Sequence, residues 1–184
     1  MDFELNEEQR MIRKMVRDFA EKEIAPKAAE LDETKEFPWE TIRRMADLGL
    51  LGLPITEEYG GSGADSICYT VAVEEVARSC GSIAITMASH TSLVATPLYE
   101  FGTEEQKRKY LVPLATGETL GAFGPTEPGA GSDAGATQTR AVLDGDQWVI
   151  NGQKNFITNG SIAGIMIITA VTEPEKGTRG ISNF

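Results

Sequence analysis

The sequence predicts an α+β protein in two parts, an all-α helical bundle over residues 1–117 followed by an incomplete antiparallel β-barrel or sandwich over residues 118–184. Two observations lead to this prediction. Apolar residues recur at helical spacing as far as about residue 114. Beyond residue 117, short β-branched and aromatic segments alternate with Asp-Gly and Asn-Gly dipeptides, which are strong turn signals. We therefore expect the two regions to meet near residues 115–120.

The first region is expected to contain five helical segments. They cover residues 6–26, 38–49, 65–79, 83–101 and 103–114. Asn6 and Thr103 are predicted N-caps, each followed by acidic residues in the positively polarised first turn. The fourth segment is apolar almost all round, which is typical of a helix in the middle of a bundle. Its one histidine, His90, is therefore expected to be packed and hydrogen-bonded rather than catalytic.

The second region is expected to consist of short strands around Val142, Trp148 and Ile150, and along residues 165–171. A strand through residues 150–160 would place Phe156 and Thr158 on one face. A ring and a hydroxyl in that arrangement could meet a flat heteroaromatic ligand. The alternative is that Phe156 is an ordinary core residue beside a threonine, and the pattern alone favours that alternative.

Composition excludes several classes of function. The net charge of −11 argues against binding to nucleic acid and to anionic membrane surfaces. The two cysteines are too few for a disulfide framework and form no metal motif. No apolar run reaches transmembrane length, and the opening Met-Asp-Phe-Glu-Leu gives no sign of a targeting peptide.

Residues 121–136 form the most distinctive stretch, since five of these sixteen residues are glycine and two are proline. Such a composition predicts a backbone shaped by turns, with N–H groups that another molecule can approach. This suits an anionic or polar cofactor, although a long surface loop has the same composition. The strand–helix context of a Rossmann or P-loop fingerprint is absent.

Two motifs together carry a resemblance to a known family. Gly-Pro-Thr-Glu-Pro-Gly-Ala-Gly-Ser-Asp at 124–133 and Asn-Gly-Gln-Lys-Asn-Phe-Ile-Thr-Asn-Gly at 151–160 closely resemble the acyl-CoA dehydrogenases. Residues 58–61, 90–93 and 101–107 add patches most similar to short-chain, butyryl-type members. The resemblance implies FAD as cofactor and oxidation of an acyl-CoA to its trans-2-enoyl-CoA. It also implies an electron-transferring flavoprotein as partner and a homotetrameric assembly.

The resemblance also implies the residues of the cofactor site. Those expected to contact FAD are Phe123, Gly124, Pro125, Thr126, Gly131, Ser132, Phe156, Ile157 and Thr158. Thr126 would donate a hydrogen bond to the isoalloxazine ring, and Ser132 would also contact the substrate. Thr158 would lie near the reactive flavin nitrogen. Many relatives carry tryptophan where this sequence has Phe156, a change that keeps an aromatic ring but removes an indole N–H.

Family members run to roughly twice this length, and their second helical bundle supplies the catalytic glutamate. The resemblance therefore implies that no catalytic base lies within residues 1–184, and Glu127 is expected to fix the loop instead. Two alternatives stay open, a flavin-free half-domain that acts as a scaffold and an oxidase-like relative that uses oxygen. The expected compartment is the cytoplasm of a bacterium, or the mitochondrial matrix for a processed form.

Overall fold

The computed structural model describes residues 4–184, so the first three residues of the predicted helical region lie outside the described residues. Every described α-helix precedes the first strand, as the sequence predicts. The helices are α1 (Glu7–Phe19), α2 (Ala28–Thr34), α3 (Trp39–Asp47), α4 (Ser66–Ser79), α5 (Gly81–His90), α6 (Thr96–Phe101), α7 (Glu104–Gln106) and α8 (Val112–Ala115). The strands are β1 (Gly121–Gly124), β2 (Arg140–Asp144), β3 (Gln147–Asn151), β4 (Ile165–Val171) and β5 (Ile181–Asn183).

Both predicted N-caps are confirmed, and each is a reciprocal capping box. The Asn6 side chain accepts from the Gln9 N–H, while the Gln9 side chain accepts from the Asn6 N–H. Thr103 and Gln106 make the same exchange at the start of α7. These side chains satisfy backbone donors that have no partner inside the helix, so they fix where each helix begins.

Two helical predictions need correction. The first segment does not end at Pro26, because a π-helical turn (Ala20–Ile24) and a 3₁₀ turn (Ala25–Lys27) carry the chain on into α2. Pro26 lies near the start of that 3₁₀ turn, where its missing N–H removes no helical bond. The segment 83–101 is helical, with a π-helical turn (Thr91–Ala95) between α5 and α6. It is not buried all round, since Ile85 and Leu93 are about half exposed and Phe101 is 87% exposed.

The helices α1, α3, α4 and α5 share one apolar core. Its other buried residues come from the π-helical turn after α1, from the chain crossing after α3 and from Leu120 just before β1. That crossing contributes Leu50, Leu51 and Leu53, each at most 1% exposed. Across the α1–α4 contact, buried Glu75 of α4 accepts hydrogen bonds from Arg17 of α1, and it accepts another from Arg78 three residues along its own helix. None of the helices in the described chain is long and apolar enough to cross a membrane.

The sheet is mixed, so the expectation of a purely antiparallel arrangement is wrong. The strands run in the order β1-β4-β2-β3, and β5 also pairs with β4. β1 and β4 are parallel over four residue pairs, and β2 meets β4 in parallel at one pair. Parallel neighbours need a long connection rather than a tight turn, and about forty residues separate β1 from β4. Of the predicted turns, Asp144-Gly145 does form a hairpin, between β2 and β3.

A second apolar cluster joins the helices to the sheet. It contains buried residues of the π-helical turn 91–95 and of α8, with Phe123 of β1 and Ile165 and Ile167 of β4 packed against it. At Gly121, an added Cβ would lie 2.8 Å from the Cβ of Val94. The backbone at the start of β1 therefore packs directly against the Val94 side chain of the π-helical turn, at a distance that leaves no room for a side chain at position 121. The sheet edge that carries the glycine-rich loop is thus seated on α5 and the turn after it.

Candidate functional site

The glycine-rich stretch begins as strand β1, and the loop proper starts at Pro125. Its tip is a tight turn in which Glu127 and Ala130 exchange backbone hydrogen bonds of 2.9 and 3.1 Å. Gly129 lies at the exposed tip. Apart from Gly131 itself and its two chain neighbours, no described residue has an atom within 4 Å of the position that a Cβ on Gly131 would take. The loop therefore presents an open, side-chain-poor backbone to the outside, as its composition predicts.

Glu127 fixes this loop from beneath. Its carboxylate is buried and accepts from the backbone N–H groups of Gln138 (2.6 Å) and Thr139 (3.0 Å) and from Lys154 Nζ (2.8 Å). Burial alone would raise the pKa of this carboxyl group. The hydrogen bonds from Lys154 and the two backbone donors outweigh it and lower the pKa to about 2. Glu127 is therefore a structural anion, as expected, and not a base that exchanges protons near neutral pH.

Lys154 brings the two sequence motifs together. Besides Glu127, its ammonium group donates to the hydroxyl of Thr169 on β4 over 3.0 Å and approaches the carbonyl of Pro125 at 3.5 Å. The next residue, Asn155, donates its N–H to the carbonyl of Thr126 over 2.9 Å. The loop after β1 and the segment after β3 are therefore bound to each other directly, so the residues predicted in both motifs lie on neighbouring stretches of chain.

The segment 152–160 is not a strand, which corrects the prediction for Phe156, Ile157 and Thr158. β3 ends at Asn151, and the chain then bends and turns. Phe156 has a φ of +54° and its side chain is 94% exposed. The strand alternation therefore does not apply, and core packing of Phe156, which the sequence favoured, is wrong. A positive φ at a bulky residue is strained, and such strain is found most often at functional sites.

Ile157 and Thr158 form one wall of a cleft of about 650 Å³. The other walls are the α2–α3 connection and the start of α5, including Phe37, Ile83 and Thr86. The remaining predicted site residues lie outside this cleft. Phe123, Pro125 and Thr126 are half-buried and Gly124 is buried, whereas Gly131 and Ser132 lie on the exposed side of the loop. At Gly124, an added Cβ would lie 3.7 Å from Ile157 Cδ1, so the two motifs meet at this point.

The loop and the turn together have the groups that a flat, polar cofactor such as FAD needs. The open backbone around Gly131 supplies room and N–H donors, and Thr126, Ser132 and Thr158 supply hydroxyl groups. The exposed ring of Phe156 supplies an aromatic surface with no packing role of its own. The residues present fit such a group. Within residues 4–184, no group of three or more His, Cys, Asp or Glu side chains is arranged to hold a metal ion.

His90 is packed and hydrogen-bonded, as predicted. It is fully buried in α5, its Nε2 lies 3.1 Å from the carbonyl of Leu114, and its Nδ1 accepts the N–H of Gly121 over 3.0 Å. Burial lowers the pKa of this imidazole to about 4, so the ring is neutral at physiological pH.

The sequence reasoning missed the parts played by Lys154 and Asn159. Lys154 could have been suspected as the partner that a buried glutamate needs. Asn159 has a φ of +64°, and the Asn-Gly dipeptide was the available signal for that conformation.

The chain is a helical bundle followed by a mixed sheet. Its open glycine-rich loop is hydrogen-bonded to the segment that leads into a turn with an exposed aromatic ring. This combination is typical of a cofactor-binding protein. A model of the acyl-CoA dehydrogenase N-terminal domain matches residues 6–118, and a model of the middle domain of the same family matches residues 122–184. The chain belongs to the acyl-CoA dehydrogenase family.

Individual relatives agree with this placement. A short-chain-specific acyl-CoA dehydrogenase of Clostridium acetobutylicum is 55% identical over 184 residues, which are 100% of this chain and 48% of the relative. A chain in the solved structure of the electron transferring flavoprotein of Acidaminococcus fermentans has a TM-score of 0.97 and 48% identity, covering 100% of this chain and 48% of that one. The FAD complex of PigA has a TM-score of 0.92 and 33% identity, covering 100% and 49%. The chain thus spans about half the length of the relatives it matches.

Proposed function

We propose that this chain is the part of a flavin-dependent acyl-CoA dehydrogenase that holds the FAD ring, in an enzyme that oxidises a short-chain acyl-CoA to its trans-2-enoyl-CoA. The observation that carries the proposal is the joining of the two motifs by Lys154, which sets the exposed, strained turn at Phe156 beside an open glycine-rich loop. Family membership and the similarity to an FAD complex support the cofactor. We also propose the division into a helical domain, residues 1–117, and a β domain, residues 118–184.

The proposed contacts are those that the family resemblance implies for each residue. Thr126 and Thr158 present hydroxyl groups to the polar edge of the ring, and Phe156 covers the ring with its aromatic face. The main-chain N–H groups around Gly131 and Ser132 bind the polar arm, with Ser132 shared between cofactor and substrate. Phe123, Gly124, Pro125 and Ile157 form the apolar support between these groups. When bound, FAD supplies the two-electron acceptor for the oxidation, while the chain contributes position and polarity.

The proton removed from the carbon next to the thioester needs a base other than Glu127. That carboxylate is buried, accepts three hydrogen bonds and has its pKa lowered to about 2, so it is a poor proton acceptor. We propose that the base lies outside residues 1–184 and that electrons leave to an electron-transferring flavoprotein. The similarity to the short-chain relative supports the substrate class. From family membership we also propose a homotetramer, located in a bacterial cytoplasm or, for a processed form, in the mitochondrial matrix.

The test is a titration of the purified full-length protein with butyryl-CoA under anaerobic conditions. We expect the protein to contain bound flavin, visible as a yellow colour. The flavin absorbance should be bleached when about one equivalent of butyryl-CoA has been added. Reoxidation should be fast with an electron-transferring flavoprotein and slow with oxygen. Hydrogen peroxide formed at the rate of turnover would show an oxidase instead, and a colourless protein that takes up no added FAD would favour a flavin-free scaffold.

A further inference from the structure

Gly121, the first residue of β1, has both of its backbone polar groups bound by side chains from elsewhere in the chain. Its N–H donates to Nδ1 of His90 over 3.0 Å, and its carbonyl accepts from Nδ2 of Asn159 over 3.1 Å. β1 is an edge strand. Groups on the outer side of an edge strand are commonly left to solvent, so two side-chain partners at one residue hold this strand end unusually firmly.

Both side chains are themselves anchored to the helical region. Because Nδ1 of His90 accepts a hydrogen bond, the proton of the neutral ring lies on Nε2, which donates to the carbonyl of Leu114. The Asn159 amide also donates to the carbonyl of Thr86 over 3.2 Å. Thr86 lies one turn before His90 in α5. Helix α5 therefore holds Gly121 in two ways. His90 of the helix binds Gly121 directly, and Thr86 of the helix binds the Asn159 side chain, which in turn binds Gly121.

This arrangement lies between the two stretches proposed to hold the cofactor. Gly121 is two residues before Phe123 on a four-residue strand, and Asn159 directly follows Thr158. A shift of Gly121 would therefore move the loop after β1, and a shift of Asn159 would move the turn that carries Phe156 and Thr158. The side-chain bonds of His90 and Asn159 set the position of one stretch relative to the other.

The inference rests on the proposed function. The geometry points to His90 and Asn159 as positioning residues for the cofactor, which act through Gly121 and do not touch the ring. Removing either side chain leaves a backbone group of Gly121 without its partner in a largely buried site, and the strand relaxes to satisfy it. Binding sites tolerate displacements of only about 0.5 Å in the groups that contact the ligand, so a small relaxation is measurable.

The experiment uses four variants of the full-length protein. His90→Leu removes both imidazole bonds, and Asn159→Gly removes the amide at a backbone conformation that glycine adopts freely. His90→Asn is the conservative variant, because its side-chain oxygen is bonded to Cγ as Nδ1 is and can still accept from Gly121. Thr91→Val is the matched control. It removes a buried hydrogen bond, to the carbonyl of Leu51, from the residue next to His90 without touching Gly121.

The readouts are the FAD dissociation constant of the apoprotein, the absorption spectrum of the bound flavin and the apoprotein unfolding temperature. We expect His90→Leu and Asn159→Gly to weaken FAD binding about tenfold or more and to alter the flavin spectrum, because both motifs lose their relative position. His90→Asn should recover most of the affinity. Thr91→Val should lower the unfolding temperature and leave the FAD dissociation constant and spectrum unchanged.

Equal FAD affinity and spectra in wild type, His90→Leu and Asn159→Gly would overturn the assignment, as would an equal loss in Thr91→Val. Should His90→Leu not fold, Asn159→Gly and His90→Asn decide the question by the same readouts. A wild-type protein that binds no FAD would sink the proposed function and this assignment together. A wild type that binds FAD with variants that bind it equally well would sink the assignment alone.

Discussion

Lys154 Nζ lies 2.8 Å from Glu127 Oε1, and this buried ion pair connects the two stretches of chain that carry the family motifs. The Lys154 side chain is 11% exposed and the Glu127 side chain 4%, so water cannot replace either partner of the pair. Removing charges from water is costly, and a buried pair is retained only when each partner finds further hydrogen bonds. Glu127 accepts hydrogen bonds from two backbone N–H groups, and Lys154 donates one to the hydroxyl of Thr169. The ion pair is therefore part of a hydrogen-bond network that fixes the shape of the loop.

Replacing Lys154 with methionine is expected to destabilise the protein by about 3–5 kcal/mol, because it leaves the Glu127 carboxylate buried without its counter-charge. The measurement is the free energy of unfolding in urea at pH 7. Lys176→Met is the matched control, since Lys176 pairs with Glu173 on the surface, with side chains 53% and 47% exposed. That exposed pair should contribute at most about 1 kcal/mol. A similar loss of unfolding free energy in both variants would contradict the larger contribution expected from the buried pair.

The stability of the protein should fall as pH drops from about 6.5 to about 4, because of His90. Its pKa is lowered from the ordinary 6.5 to about 4, so in this range the unfolded chain takes up a proton that the folded ring does not. Comparing wild type with His90→Asn isolates this effect, since asparagine does not titrate. The difference in unfolding free energy should shrink by about 2 kcal/mol between pH 7 and pH 5. A constant difference over that range would mean that His90 takes up its proton at the same pH in the folded protein as in the unfolded chain, so that its pKa is not lowered.

Loss of the Thr158 hydroxyl should weaken the proposed contact with the cofactor. In Thr158→Ala we expect a cost of about 1–3 kcal/mol in FAD binding or in the transition state of the reaction. Thr158→Ser retains a hydroxyl and should stay close to wild type, whereas Thr70→Ala, on the exposed face of α4, is the distant control. FAD titrations, flavin spectra and turnover of the three variants give the answer. Wild-type values in Thr158→Ala would remove this residue from the site.

The sequence predicts well what is local and poorly what is not. Asn6 and Thr103 were identified because a cap needs only a short polar side chain at one position, followed by acidic residues in the first turn. The parallel pairing of β1 with β4 was not, because it depends on a connection of about forty residues that leaves no local signal. Burial of His90 followed from the apolar helix around it, but its bond to Gly121 spans 31 residues and could not be read from either segment.

The site shows the same division. The glycine-rich loop was recognised from its composition, and Glu127 was assigned a structural part that the hydrogen bonds confirm. The strand predicted through Phe156 failed because β3 ends at Asn151 and the chain beyond it bends and turns, with a positive φ at Phe156. Asn159 repeats that left-handed conformation three residues later. The conformation of residues 156–160 therefore depends on positive φ angles, which the pattern of apolar residues does not predict.

Phe156→Gly should separate stability from cofactor binding. The residue is 94% exposed and has a φ of +54°, so its ring contributes little packing while its backbone is strained. Relief of that strain, on the order of 1–2 kcal/mol, is offset by the entropy of an added glycine, about 0.5–1 kcal/mol. The apoprotein should therefore be as stable as wild type or about 1 kcal/mol more stable.

The same variant lacks the aromatic surface proposed to cover the flavin, so FAD binding should weaken and the flavin spectrum should shift. Phe156→Tyr keeps the ring and should preserve both properties. Phe101→Ala, which removes an 87% exposed ring at the end of α6, controls for the general loss of a surface aromatic side chain. The decisive measurements are urea unfolding of the apoproteins and FAD titration of each. A Phe156→Gly protein that is clearly less stable but binds FAD normally would show that the ring packs rather than binds, and that the strain at this turn serves the fold.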